Sequence, residues 1–251
     1  MIEIIPLAGI GEILPGSDLA ELLADALVAA SVAPRPDDVL VVTQKIVSKA
    51  EGRFVDLASV EPGEEARRLA ETTGKDPRLV ELVLREATTV VRAVPNVLIT
   101  RQRAGHVMAN SGIDRSNIGG GEAERALLLP VDADASARLL RDRLAIRWVE
   151  PPAVLISDSF GRPWRYGVVN VAIGAAGLAS LIDRRGELDR DGRRLEVTQI
   201  ALGDMIATAA GLAMGEGAEG IPAVLVRGVA WSGPDSPAAA LVRPLEEDLF
   251  Q

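Results

Sequence analysis

The chain of 251 residues has no cysteine and a single histidine, His106. Those two scarcities exclude disulfides, thiolate nucleophiles and cysteine-ligated zinc, and they leave no Ser-His-Asp or multi-histidine site to assemble. Lysine is almost as scarce: Lys45, Lys49 and Lys75 stand against 24 arginines, and the first two are four residues apart. Aromatic residues make up 3% of the chain and hydrophobic residues 48%, so the core must be built from Ala, Val, Leu and Ile. No apolar run approaches the roughly 20 residues needed to cross a bilayer. Met1 to Pro6 also lacks the basic flank of a secretory leader, so a cytoplasmic protein with no membrane partner is expected. A net charge of -9 argues against sequence-independent binding to nucleic acid, which rewards a basic face. Anionic ligands must then be met by local basic clusters or by metal ions, and the chemistry must use oxygen ligands and basic side chains.

What is present reads as strands and helices mixed without the steady alternation of a doubly wound sheet, which predicts an α+β fold. Met1 to Ile5 reads as a strand and Pro6 to Gly16 as a loop. Ser17 or Asp18 caps a helix with Leu19, Leu22, Leu23, Ala26 and Leu27 on one face. The run Val39 to Thr43 is a buried-type strand leading into a turn at Gln44 to Gly52. Helices are expected over 63–73, 77–87, 134–145 and 196–214, and strands over 89–94, 97–102, 106–110, 153–157, 167–173 and 221–229. No repeat or long linker divides the chain, and one unit with two lobes is the expectation for this length.

The segment Ser157-Asp158-Ser159-Phe160-Gly161-Arg162-Pro163-Trp164-Arg165 follows the apolar run Ala153 to Ile156 and sets a carboxylate, hydroxyls and two guanidinium groups at an expected strand end. It suits a metal and a phosphate; a polar turn is the plain alternative. Gly112 to Asn117 and Gly215-Glu216-Gly217 add acidic and amide groups beside glycine. Together the three loops make a hard-cation site of the kind magnesium and manganese prefer. Lys45 and Lys49 are point charges suited to a phosphate, or a solvated basic face. The run Gly119-Gly120-Gly121 reads as a flap or a simple loop. Trp164 and Tyr166, flanking Arg165, fit packing on its stem better than stacking on a ring. His106 reads as structural.

Taken in order, Leu7-Ala8-Gly9-Ile10, Val41 to Gly52, Asn110 to Asn117, Ser157 to Arg165 and Met214 to Pro222 resemble the coenzyme F420-0:L-glutamate ligase family over nearly the whole chain. The resemblance implies a two-lobed fold in an intertwined homodimer, residues 1–251 forming one ligase unit without a fused reductase-like domain. It implies a GTP-dependent ligase that adds L-glutamate to the lactyl carboxylate of the deazaflavin precursor F420-0 through an acyl phosphate and extends a γ-glutamyl tail. Magnesium or manganese and potassium are implied as activators. Carried over by position, Asp114, Asp158, Ser159 and Glu216 would be the metal ligands. Leu7, Ala8, Gly9, Ile10, Gln44, Lys45, Lys49 and Asn117 would contact the guanine nucleotide, with Met214-Gly215-Glu216-Gly217-Ala218-Glu219-Gly220-Ile221. Asp114, Asp158, Lys49, Arg162 and Arg165 would carry the chemistry. Ser159 stands where Thr is also found, and Gln44-Lys45 replaces smaller hydroxyl residues of some archaeal members. An amide ligase for another small carboxylate, and a nucleotide-binding regulator without turnover, remain open alternatives.

Overall fold

The computed structural model describes residues 1–119 and 124–248. Gly120 and Gly121 of the glycine run lie outside the described residues. In chain order the elements are β1 (Glu3–Pro6), α1 (Leu19–Ala29), β2 (Val39–Thr43), α2 (Gln44–Ala50), β3 (Phe54–Asp56), α3 (Glu64–Thr73), α4 (Pro77–Glu86), β4 (Ala87–Val94), β5 (Val97–Gln102), β6 (Val107–Ala109), β7 (Arg125–Leu127), α5 (Ala133–Leu144), β8 (Ala153–Arg162), β9 (Arg165–Ala176), β10 (Leu181–Asp183), β11 (Gln199–Ala201), α6 (Leu202–Met214) and β12 (Ala223–Arg227). Three of the helices start on an aspartate that accepts a backbone N–H: Asp18 before α1, Asp76 before α4 and Asp132 before α5. These caps fix where the helices begin, as orphan donors of a first turn require.

The apolar runs of β2, β8 and β12 form the centre of a five-stranded sheet in the order β1-β12-β2-β8-β9. Only β2 and β8 run parallel; the other three pairings are antiparallel. Alternation along each strand sends successive side chains to opposite faces. Leu40, Val42, Val154, Ile156 and Leu225 pack with α1 and α5, whereas Val39, Val41, Leu155, Val224 and Val226 pack with α6. Burial on both faces explains why these strands read as continuous apolar runs. A third core gathers Leu69 of α3, Val80 and Val83 of α4, Leu98 of β5 and Ala126 of β7. Around it lie a three-stranded sheet β4-β5-β6 and the pair β3-β7, so the chain is α+β with several sheets among the described residues.

Four expectations are corrected. Gln44 to Ala50 is a helix, α2, because its Ile46, Val47 and Ser48 are buried against the sheet rather than exposed in a turn. Asp158 and Ser159 do not end a strand: β8 runs on to Arg162 and pairs with β9 through a hairpin. The helix expected from 196 starts at Leu202, since Gln199–Ala201 pairs with β10 instead. Leu22, assigned to the apolar face of α1, is 37% exposed, and Ala20 and Ala24 take the buried positions.

Candidate functional site

A cleft of about 530 Å³ opens where five segments meet: loop 7–16, α2, the 114–119 loop, the β8–β9 ribbon and the loop after α6. Ile156 and Ser157 of β8 pair with Gly174 and Ala172, which leaves Ile173 as an extra residue of β9, a bulge opposite the start of the functional segment. Ser157, Asp158 and Ser159 all line the cleft. Opposite them, β2 hands the chain to α2 at Thr43, which points Lys45 and Lys49 into the same space.

The polar groups of the lining pair with one another across these segments. Gln44, 1% exposed, accepts from Ser48 Oγ at 3.0 Å and donates from Nε2 to Asp114 Oδ2 at 2.7 Å. Lys45 Nζ lies 3.5 Å from the same Oδ2 and donates to the Ser116 carbonyl at 3.2 Å. Ser159 Oγ donates to Glu216 Oε2 at 2.9 Å, and Asn117 Nδ2 donates to the Gly217 carbonyl at 3.1 Å, so the loops that carry Asp114 and Glu216 close on each other. Lys49 Nζ donates to Glu12 Oε1 at 2.8 Å. Burial raises the Asp114 carboxyl above the ordinary range, against the opposing pull of Lys45. Burial, and then the charge of Asp114, push Asp158 up to about 7. Two like-charged groups taken out of water disfavour joint ionisation.

This donor set fits a divalent cation shared with a ligand. Among the described residues no three carboxylate or imidazole groups are gathered into a ready-made cage. The lining nevertheless holds five carboxylates, Glu12, Asp114, Asp158, Glu216 and Glu219, against the two ammonium groups of Lys45 and Lys49. An anion entering such a lining needs a compensating cation, and Asp114 and Asp158 are the two carboxyls whose ionisation burial disfavours. Hard cations that keep part of their shell for substrate oxygens are held in this way, by one or two carboxylates.

The cleft collects most of the expected residues. Ile10, Lys45, Lys49, Asp114, Asn117, Asp158, Ser159 and every residue from Met214 to Ile221 line it, and Gln44 reaches it through Asp114. Leu7 does not: it is fully buried in the core, its N–H bonded to the Ala223 carbonyl. Ala8 and Gly9 are exposed beyond the lining. Arg162 and Arg165 are also outside it, because β8 continues past Asp158 and carries Arg162 about 13 Å along the strand to the hairpin turn. There its Nη2 donates to the Tyr166 carbonyl at 3.1 Å. His106 packs edge-on against Phe160, ring centroids 5.7 Å apart, away from the cleft lining. Sequence reasoning missed Glu12 and Asn170 in the lining; the glycines on either side of Ile10 were the only local signal for the former.

Comparison with known proteins shows the family. The family model described as F420-0:Gamma-glutamyl ligase matches residues 9–228. A protein of Methanopyrus kandleri named Coenzyme F420:L-glutamate ligase is 46% identical, over 100% of this chain and 97% of its own length. Proteins of the same name from Methanothermobacter thermautotrophicus and Haloarcula marismortui are 42% and 40% identical, covering 100% and 99% of this chain and 97% and 95% of their own. With the family match spanning most of the sequence and relatives aligned from end to end, the chain belongs to the F420-0:gamma-glutamyl ligase family.

Proposed function

We propose that this chain is a GTP-dependent ligase that joins L-glutamate to the lactyl carboxylate of F420-0 and extends the product by γ-glutamyl links. The names of its relatives support the ligase reading and the acceptor. The observation that carries it is the convergence of Asp114, Asp158, Ser159 and Glu216 with Lys45 and Lys49 on one cleft large enough for a nucleotide.

Forming an amide in water requires an activated acyl group. In the proposed reaction a carboxylate oxygen of the acceptor bonds to the γ-phosphorus of GTP, and the bond to the β-phosphate oxygen breaks to release GDP. The α-amine of glutamate then attacks the acyl carbon and gives up a proton, and phosphate leaves. Lys45 and Lys49 serve as point charges on the phosphate oxygens. Gln44 fixes the orientation of Asp114, and Ser159 does the same for Glu216. Magnesium or manganese held by Asp114 and Asp158, with Ser159 and Glu216 adjacent, would supply the positive charge that steadies the phosphoryl oxygens during transfer. Potassium activation, a two-lobed body and a homodimer belong to the same reading.

The test is GDP release by the purified protein with GTP, L-glutamate, magnesium and a panel of carboxylates. Release that requires both F420-0 and glutamate, and that drops at least a hundredfold in Asp114→Asn, is expected from the loss of a charged group at the reacting phosphate. Release with a different carboxylate and not with F420-0 would reassign the acceptor; no release with any acceptor would favour a nucleotide-binding regulator.

A further inference from the structure

Glu12 lies on the loop between β1 and α1, with its side chain 60% exposed, yet its Oε1 is 2.8 Å from the ammonium of Lys49, which is itself only 8% exposed. The same carboxylate covers the 114–119 loop: a Cβ placed on Gly119 would stand 2.5 Å from Glu12 Oε1. One carboxylate therefore joins loop 7–16 to α2 and lies beside Gly119 of the loop that carries Asp114 and Asn117.

An ammonium group withdrawn from water needs a counter-charge. In the cleft Lys49 finds that charge in Glu12. The two partners differ in what separation costs them: Glu12, being mostly exposed, returns to water easily, whereas Lys49 requires another anion in its place. We propose that Glu12 is a placeholder anion, which neutralises Lys49 in the ligand-free cleft and yields it to a phosphate oxygen of the incoming nucleotide. Glu12 thereby sets the affinity for the polyphosphate end. The inference rests on the reading that Lys49 takes an anionic group of the nucleotide.

The experiment is calorimetric titration of GTP in magnesium buffer into the intact wild-type protein, Glu12→Gln and Lys49→Met. Removing a competitor worth as much as a partly exposed ion pair is expected to tighten binding about threefold to tenfold in Glu12→Gln and to lower its KM for GTP. The GTP-induced rise in melting temperature should grow in the same variant, because ligand binding then contributes more to stability. Lys49→Met should bind at least about tenfold more weakly. If Lys49→Met binds as the wild type does, the nucleotide reading of Lys49 fails. If Lys49→Met loses affinity while Glu12→Gln binds no tighter, the placeholder role fails and the reading of Lys49 stands; weaker binding in Glu12→Gln overturns the placeholder too, by making Glu12 a direct ligand. Should Glu12→Gln not fold, Glu12→Asp, whose shorter arm strains the same contact, is expected to tighten binding in the same direction.

Discussion

Asp158 shows what single side chains contribute here. Its carboxyl is pushed up to about 7 by burial and by Asp114, so near neutral pH the folded chain holds a proton that the unfolded chain has released. Stability from this source is complete below the ordinary carboxylate range and is lost as pH rises through about 7. Asp158→Asn, which stays neutral, should therefore stabilise the protein at about pH 8 in chelator by on the order of 2 kcal/mol, a rise of about 5 °C in Tm, while abolishing ligation. Melting curves at about pH 8 and pH 4 check this; an unchanged or lowered Tm at the higher pH would refute it. Asp134 serves the fold through hydrogen bonds: its carboxylate accepts from the backbone N–H of Ala175 at 2.8 Å, Ala238 at 2.8 Å and Ala239 at 3.1 Å. Asp134→Ala leaves three donors without an acceptor and should cost about 3 kcal/mol in a denaturant titration. That Asp114, Asp158, Ser159 and Glu216 lie in one cleft was legible from motif order. The pairings Gln44 with Asp114 and Lys49 with Glu12 were not, since they join residues 70 and 37 positions apart and no local pattern encodes them.

Among the elements, the β8–β9 ribbon matters most, because it carries Asp158 and Ser159 on one strand and Asn170 on the other. Its far end is pinned by α5, whose first residue crowds Gly174: a Cβ there would lie 2.2 Å from the Ala133 carbonyl oxygen. That neighbour is backbone and cannot rotate away. Gly174→Ala is expected to destabilise by about 2 kcal/mol or more, read as a lower midpoint in urea with an unchanged slope; a midpoint at the wild-type value would show that α5 moves freely. The strands of the central sheet could be read in advance because burial on both faces leaves an uninterrupted apolar signature. The short strands β3, β7, β10 and β11 have three residues each, too few to establish a period of two. The continuation of β8 was hidden for a different reason: its polar residues face a cleft, so they resemble a turn until the pairing with β9 is known.

At the scale of the molecule, a sheet covered by α1 and α5 on one face and α6 on the other holds β2, β8 and β12 rigid, and the cleft forms where loops leave that frame. Rigid strands with mobile connections are the arrangement in which a site can be preorganised and still admit substrates. Among the described residues no helix is long and apolar enough to cross a membrane. The most direct measurement uses F420-0 labelled with oxygen-18 in its lactyl carboxylate, incubated with GTP, L-glutamate and magnesium, with both products weighed by mass spectrometry. Transfer of one labelled oxygen into the released phosphate, alongside a glutamate-extended coenzyme, is the expected result; glutamate addition with unlabelled phosphate, or no addition with GTP present, would contradict ligation through an acyl phosphate in this cleft.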